Sequence, residues 1–315
     1  DVAERMLTEL ATSAGGPNAE FGGWISSIRT QIVALPPRLI DELARQDQVK
    51  HVTFLPPVLS EVNDQIRSSI GVNTILEAPY GLDGSGSNVL VYDAGHVDRN
   101  HPDLAGRVTY GEAGGAAQHS THVGGTVGGN GTNSGGTYKG MAPATAITSY
   151  FLASCNPNCL YNSPSDIESN YHDALHDHGA DFATNSLASN VAINGYPCSW
   201  EGDYELTAQL IDAISGGSLG VPFMSLWAAG NERAYGTCGT GYNTTGIPAT
   251  AKNNIVVGAT NSNDHSMTYF SSWGPVDDGR TRPDVCAPGC QVGGDGGITS
   301  TTPGGRPRAI PSTWA

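Results

Sequence analysis

Two residues in the chain have side chains suited to acid–base chemistry. Asp93 ends the apolar run VLVY at residues 89–92, and His119 precedes a run of small residues that extends to residue 129. An aspartate bonded to an imidazole fixes the tautomer of the ring and stabilises the cation that forms when the ring takes a proton. Asp93 and His119 are therefore either two members of a nucleophile-activating triad or ordinary polar residues of a core.

A third candidate, Asn231, follows an apolar run within the sequence WAAGNE at residues 227–232. Its amide can donate a hydrogen bond to an oxygen that becomes negative during acyl transfer. Removing such a donor raises the reaction barrier by about 3–4 kcal/mol. Together with Asp93 and His119, Asn231 favours nucleophilic catalysis.

Alternating strand-like and helix-like segments must position these side chains. Alternation of this kind is typical of a parallel sheet with helices on both faces, and such sheets bind ligands at the carboxyl ends of their strands. We therefore predict an α/β fold, doubly wound, with a mainly parallel sheet. The predicted strands are residues 88–94, 146–152, 181–187, 222–228 and 254–259, and the predicted helices are residues 166–178 and 204–214.

Seven motifs, taken in order, resemble those of the subtilisin family of serine proteases. Three surround the candidate residues: VYDAG at Asp93, HSTHVGGT from His119, and AAGNE at Asn231. The other four are GMAP (140–143), FSSWGP (270–275), DVCAPG (284–289) and ITSTTPG (298–304). The resemblance extends from about residue 63 to residue 305. It implies a subtilisin-type fold and hydrolysis of peptide bonds by a serine-type endopeptidase.

The resemblance also implies a role for each candidate residue. Asp93 would orient His119, His119 would transfer the proton, and Asn231 would stabilise the oxyanion. His122 corresponds to the second, structural histidine of its motif. Ser120 stands where the family motif usually has glycine, and this departure is expected to shift His119 slightly.

Substrate binding is assigned by position alone. Ser186, Leu187 and Ala188 resemble a family segment whose backbone pairs with an extended peptide and forms one wall of the specificity pocket. Backbone pairing ignores most side chains, so polypeptides in general are the expected substrates. Ala188 replaces the usual glycine, which leaves the pocket preference open.

The family's nucleophile motif, GTSMA, is not found in the sequence. A dozen or so residues beyond the ITSTTPG motif stands the sequence PSTWA at residues 311–315, and neither Ser312 nor Ser300 has the matching neighbours. Three interpretations remain. The sequence is a truncated or frame-shifted copy of a protease, or a catalytically dead pseudoprotease that binds peptides or propeptides, or an enzyme that uses Ser312 or another serine in a rearranged site.

Residues 1–62 differ from the rest of the chain in their pattern of apolar residues. Residues 63–315 are predicted to form a peptidase domain that is incomplete at its C-terminus. A strand at 28–35, a helix at 38–46 and a strand at 49–55 form a small α+β pattern. This pattern resembles the inhibitory propeptide of subtilisins. The alternative is an ordinary N-terminal extension.

Composition limits the partners. Fifteen Lys and Arg against 30 Asp and Glu give a net charge of −15, which disfavours nucleic acid and anionic membranes as partners. No apolar run is long enough to span a membrane. We expect a secreted, monomeric protein whose partners are polypeptide substrates and its own propeptide-like segment.

Six cysteines are expected to form disulfides, which are common in secreted proteins. The predicted pairs are Cys155 with Cys159, Cys198 with Cys238, and Cys286 with Cys290. Fifteen pairings are possible, and the sequence does not choose among them.

No cofactor is required for the predicted chemistry, and no metal ligands are assigned. Calcium in oxygen-rich loops is the one expected structural ion, with Asp98, Asp103 and Asp278 as candidate ligands. The alternative is that these acids are simply solvated. His172 and His176 share a helix face, but without the HExxH motif solvated histidines are the better interpretation.

Overall fold

The computed structural model describes residues 20–25, 30–34, 36–50, 52, 62–152, 164–189, 191, 195–239, 241–290 and 297–311. The chain divides into two compact units, Asp1–Leu59 and Ser60–Ala315. No helix within these described ranges is both long enough and apolar enough to cross a membrane.

In the first unit, strands β1 (Glu20–Ile25) and β2 (Thr30–Ala34) pair in antiparallel fashion. Helix α1 (Ile40–Ala44) follows a short 3-10 turn. The strand and the helix predicted here are confirmed, whereas β1 was not predicted. Of the strand predicted at 49–55, residues 49, 50 and 52 are not in a strand, and the others lie outside the described residues.

The second unit is built on a seven-stranded sheet in which every neighbouring pair is parallel. Its strands are β3 (Asn88–Asp93), β4 (Val108–Tyr110), β5 (Ala146–Phe151), β6 (Phe182–Asn185), β7 (Met224–Ala228), β8 (Ile255–Asn261) and β9 (Val285–Cys290). Their spatial order is β4-β5-β3-β6-β7-β8-β9. All five predicted strands are confirmed. The strand order changes direction at β3, and open parallel sheets bind ligands at such a point.

The helices of the second unit follow the expected alternation. They are α2 (Val62–Ser69), α3 (Val72–Leu76), α4 (Gln118–Gly128), α5 (Pro164–His176) and α6 (Leu206–Ser215). The two predicted helices are confirmed as α5 and α6. Helix α5 buries Ile167, Tyr171 and Ala174 at helical spacing. Helix α6 is capped at its N-terminus by Glu205, whose carboxylate accepts hydrogen bonds from two backbone amides of the first turn.

Alternate residues of β3 enter two different cores. Leu90 and Tyr92 belong to the larger core, which also receives α5 and α6. Val91 belongs to a smaller core, against which Val123 of α4 packs. Because side chains alternate across a strand, β3 is covered on both faces. Such burial on both sides explains its uninterrupted apolar sequence.

A hairpin of β10 (Gly297–Thr302) and β11 (Arg306–Pro311) lies outside the large sheet. Ile298 of β10 is buried with Ile66 of α2, and Met141 packs against both. The ITSTTPG motif therefore forms the first strand and the turn of this hairpin.

The cysteine predictions have three different outcomes. Cys198 and Cys238 form a disulfide with Cα atoms 5.2 Å apart, as predicted. The predicted Cys286–Cys290 disulfide is wrong. Both residues lie on β9, and four residues of extended strand span roughly 13 Å, well beyond the 7 Å limit for a bridge. The pair Cys155 and Cys159 lies outside the described residues.

Candidate active site

The acid–imidazole pair forms where β3 ends and α4 begins. Asp93 is the last residue of β3 and is fully buried, and His119 is the second residue of α4. His119 Nδ1 lies 2.5 Å from Asp93 Oδ1, and the imidazole side chain is 20% exposed. Contact through Nδ1 assigns Nε2 as the ring nitrogen that would exchange a proton with a nucleophile.

One oxygen of Asp93 receives all the described hydrogen bonds of this carboxylate. Besides His119, the Ser120 hydroxyl donates to Oδ1 at 3.0 Å and the Ala94 amide donates at 2.7 Å. Oδ2 is buried without a hydrogen-bond partner among the residues that the structure describes. These three contacts fix the position of Oδ1 opposite the imidazole.

His122, one turn further along α4, makes structural contacts. Its Nε2 donates to the Ile298 carbonyl at 2.6 Å. Burial lowers the pKa of His122 to about 4, so the ring is neutral at physiological pH. Ser300 and Thr301 of β10 donate their hydroxyls to carbonyls of α4 at 2.9 and 2.6 Å. Strand β10 is thus bonded along the first turns of the helix that carries His119.

The close approach of β10 explains a glycine of α4. A Cβ placed on Gly125 would lie 2.1 Å from Thr301 Oγ1 and 2.5 Å from Ser300 Oγ. Both distances are shorter than van der Waals contact. Only glycine permits this packing of strand against helix.

Asn231 sits in a turn after β7 that Ser272 fixes from both sides. Gly230 has a φ of 103°, which favours glycine, and a short 3-10 turn follows Asn231. The Ser272 amide donates to the Gly230 carbonyl at 2.8 Å, and the Ser272 hydroxyl accepts from the Glu232 amide at 3.0 Å. The FSSWGP motif therefore holds the Asn231 turn in place.

The predicted substrate-binding residues lie beside this turn. Ser186 and Asn231 line the same cavity. Leu187 packs against the large core. The Ala188 methyl lies next to Gly230, where an added Cβ would be 3.4 Å away. The segment and the Asn231 turn are brought together at the carboxyl edge of the sheet.

A cavity of about 390 Å³ separates α4 from the carboxyl ends of β6–β9. His122 and Val123 line it from the helix, and Trp227, Ala229 and Asn231 line it from the sheet. Most of the lining is apolar. The helix with the acid–imidazole pair and the turn with Asn231 thus border one space.

A buried carboxyl group lies close to the Asn231 turn. Glu201 is 1% exposed, and neither of its oxygens has a hydrogen-bond partner among the described residues. Burial first, and then the charge of Glu232, raise the pKa of Glu201 to about 7. Arg233, which follows Glu232 in the chain, lies 3.6 Å above the Trp273 ring and donates to backbone carbonyls. Glu201 is therefore largely protonated below neutral pH.

The calcium candidates are not brought together. Asp278 is bound to Arg280 at 2.9 Å. Asp103 Oδ1 accepts from the Asn133 amide, and Asp98 Oδ1 accepts from the Asn100 amide. Over the described ranges, no three acidic, histidine or cysteine side chains gather around one point. Calcium binding stays a prediction.

Sequence reasoning missed the partners that fix the site. Ser120 was treated as a departure from a motif and not as a donor to Asp93. The contact of Ser272 with both neighbours of Asn231 had no sequence signal beyond its motif. The burial of Glu201 had no sequence signal.

An aspartate–histidine pair at the switch point of a parallel sheet, with an asparagine turn at the same edge, is the arrangement of a serine-type hydrolase. A model of the subtilase family of peptidases (peptidase S8) matches residues 84–309, well over half of the chain. The chain belongs to the subtilase family, whose characterised members are serine proteases.

Two curated proteins of Bacillus subtilis (strain 168) are similar to this chain. Serine protease AprX is 28% identical over 234 residues, which cover 67% of this chain and 48% of AprX. Minor extracellular protease Vpr is 26% identical over 246 residues, which cover 70% of this chain and 26% of Vpr. The chain thus spans about half of AprX and about a quarter of Vpr.

A solved structure shows the same fold. The Clostridium perfringens CspB protease superposes over 80% of this chain and 83% of its own, with a TM-score of 0.62 and 14% sequence identity. The predicted subtilisin-type α/β fold is confirmed.

Proposed function

We propose that this protein is a secreted serine endopeptidase that hydrolyses peptide bonds in polypeptides. The observation that carries the proposal is the 2.5 Å contact between His119 Nδ1 and Asp93 Oδ1 at the carboxyl end of β3. Membership of the subtilase family supports it. Asn231, on the rim of the adjoining cavity, supplies the hydrogen-bond donor to the oxyanion that acyl transfer requires besides the acid and the imidazole.

The proposed mechanism uses each group according to its position. A serine hydroxyl attacks the scissile carbonyl carbon while His119 Nε2 takes the hydroxyl proton and later gives it to the leaving amine. Asp93 remains ionised and stabilises the imidazolium. The Asn231 amide donates to the oxyanion that develops on the carbonyl oxygen. None of these steps needs a cofactor.

We propose that the nucleophilic serine comes from polypeptide outside the described residues. Ser300 is unsuited, because it is fully buried and its hydroxyl donates to the His122 carbonyl. Ser312 lies outside the described residues and lacks the nucleophile motif. The resemblance implies a helix directly after the serine, and the lining of the cavity between α4 and the sheet is apolar, as a surface that packs against a helix would be. The 315 residues alone are therefore expected to be inactive.

Extended polypeptides are the proposed substrates. Ser186 to Ala188 lie along the carboxyl edge of the sheet, where their backbone can pair with a peptide strand. The methyl of Ala188 lies beside Gly230, next to the Asn231 turn.

Three further properties are proposed from the resemblance. The unit Asp1–Leu59 acts as a propeptide-like partner of the peptidase unit. The protein works as an extracellular monomer, and the name of the relative Vpr, an extracellular protease, supports secretion. Calcium binds an oxygen-rich loop as a structural ion.

Casein hydrolysis tests the proposal. The 315-residue chain is compared with a version extended by the continuation of its source DNA in the alternative reading frame. We expect activity only in the extended chain. Within that chain, Asn231→Ala should lower kcat about 10²- to 10³-fold through loss of the oxyanion donor, and exposed Asn253→Ala is the matched control.

The other outcomes distinguish the alternatives. Inactivity of both chains, with peptide binding measured by calorimetry, would replace the protease by a peptide-binding pseudoprotease. Activity of the 315-residue chain would instead require a serine within it, which a fluorophosphonate probe would label. Equal activity of Asn231→Ala and Asn253→Ala would remove Asn231 from the mechanism.

A further inference from the structure

Ser120 makes a contact that its position in a helix does not require. It is the third residue of α4, fully buried, and its hydroxyl donates to Asp93 Oδ1 at 3.0 Å. A buried serine in a helix usually donates to the carbonyl four residues back. On the same helix Thr121 and Thr126 do this, with their hydroxyls 2.7 and 3.0 Å from the carbonyls of Ala117 and His122. Ser120 alone among these three is directed to the acid.

The contact places two donors from consecutive residues of one helix on the same carboxylate oxygen. His119 Nδ1 and Ser120 Oγ approach Asp93 Oδ1 from α4, and the Ala94 amide approaches it from the chain after β3. A carboxylate held by His119 alone could rotate about its side-chain bonds while keeping one hydrogen bond. With three donors at separate positions on Oδ1, rotation breaks at least one of them.

We infer that Ser120 is a positioning residue, which fixes the carboxylate of Asp93 and sets how strongly that carboxylate holds the proton on His119. The inference deepens the proposed function and rests on it for its kinetic consequences. A hydroxyl that donates to Oδ1 withdraws negative charge from the oxygen that His119 faces. Loss of the hydroxyl removes one of the three donors that fix the carboxylate.

Two titratable groups face His119 in the described contacts, namely Asp93 on β3 and His122 on α4. His122 is neutral at physiological pH and therefore contributes little charge. A change at Ser120 thus reaches His119 through Asp93. In the extended chain, Ser120→Ala should lower kcat about 3- to 10-fold, leave KM unchanged, and move the acid limb of the kcat/KM profile to higher pH.

A second measurement is independent of catalysis. In the 315-residue chain, the proton between His119 Nδ1 and Asp93 Oδ1 should give a far-downfield NMR resonance, because the hydrogen bond is short and charge-assisted. Ser120→Ala should shift this resonance, whereas exposed Ser218→Ala should not. If the extended wild-type chain is inactive, the proposed function fails, and the resonance still tests the role of Ser120.

Thermal unfolding verifies that each variant is folded. If Ser120→Ala does not fold, Ser120→Cys keeps a side chain of similar size with a weak donor, and a smaller shift in the same direction is expected. An unchanged resonance together with an unchanged pH profile in a folded Ser120→Ala variant would overturn the inference. A raised KM with unchanged kcat would also overturn it, because that result would place Ser120 in substrate binding.

Discussion

Two carboxyl groups of this protein are equally buried and have opposite surroundings. Asp93 is 0% exposed and Glu201 is 1% exposed. Asp93 Oδ1 receives three hydrogen bonds, one of them from an imidazole. Glu201 receives none from the described residues, and its charged neighbour is another acid, which raises its pKa to about 7. Burial alone therefore does not decide what a carboxyl group does.

The difference lies in what each polypeptide segment brings to the acid. The start of α4 brings an imidazole, a hydroxyl and the positive end of a helix dipole to Asp93. The segment around Glu201 brings no described donor. Because a buried charge without hydrogen bonds costs free energy, the carboxyl group takes up a proton. The first acid is suited to stabilise a cation during a reaction, and the second to bind a proton near neutral pH.

The largest expected effect comes from removing the charge of Asp93. In the extended, active chain, Asp93→Asn should lower kcat about 10⁴-fold, because an amide favours the wrong imidazole tautomer and cannot stabilise the imidazolium. Exposed Asp177→Asn, just after α5, is the control. Steady-state kinetics measure both, and a loss of less than tenfold would show that the buried charge of Asp93 is not used.

A smaller effect is expected when the disulfide that encloses the second acid is removed. The Cys198–Cys238 bridge closes a loop of 40 residues that contains Glu201 and Asn231. By the chain-entropy estimate, the variant Cys198→Ser/Cys238→Ser should lose about 4 kcal/mol of unfolding free energy. Urea unfolding measures the loss, with Cys286→Ser as the control.

The same double variant tests whether the disulfide loop and the Asp93–His119 pair are structurally independent. Asp93 is held by β3 and α4, outside the disulfide loop, so the downfield proton resonance of His119 should persist below the unfolding transition. Disappearance of this resonance in the folded double variant would mean that the two regions are coupled.

The smallest effect concerns the proton on Glu201. Its pKa is raised from 4.5 to about 7 in the folded state, so the folded protein retains a proton that the unfolded chain has released. The contribution of Glu201 to the free energy of unfolding is therefore fully present below about pH 4.5, and it falls by about 3 kcal/mol as the pH rises to 7. Glu201→Gln should lack this decline.

Urea unfolding at several pH values, compared between wild type and variant, measures the contribution of Glu201. Exposed Glu168→Gln on α5 is the matched control, and it should keep the wild-type dependence. If the unfolding free energies of wild type and Glu201→Gln depended on pH in the same way, Glu201 would not carry a proton near neutral pH. The contrast between Glu201 and Asp93 would then be lost.

Much of the fold could be predicted from the sequence, because its signals are local. The uninterrupted apolar run of β3, between turn residues, indicated a strand buried on both faces. The helical spacing in α5 and α6 indicated their buried stripes. Asp93, His119 and Asn231 could be located because each stands in a motif of contiguous residues, and the structure places Asp93 and His119 in contact.

The remaining features depend on contacts between distant segments. The pairing of Cys286 with Cys290 was wrong because nearness in sequence does not mean nearness in space along an extended strand. The hairpin of β10 and β11 was not predicted, since its packing against α4 depends on Gly125, a residue far away in the chain. The donation of Ser120 to Asp93 required knowledge of where β3 ends relative to α4.

The bonds between α4 and β10 have a consequence for synthesis of the protein. His122, Ser300 and Thr301 join residues that are 176 to 180 positions apart in the chain. A ribosome adding about 5–20 residues per second needs roughly 10–40 s to make the intervening polypeptide. During that interval the residues of α4 have been synthesised, whereas the strand that packs against them has not. The acid–imidazole pair is therefore among the last parts of the nascent chain to reach its final packing.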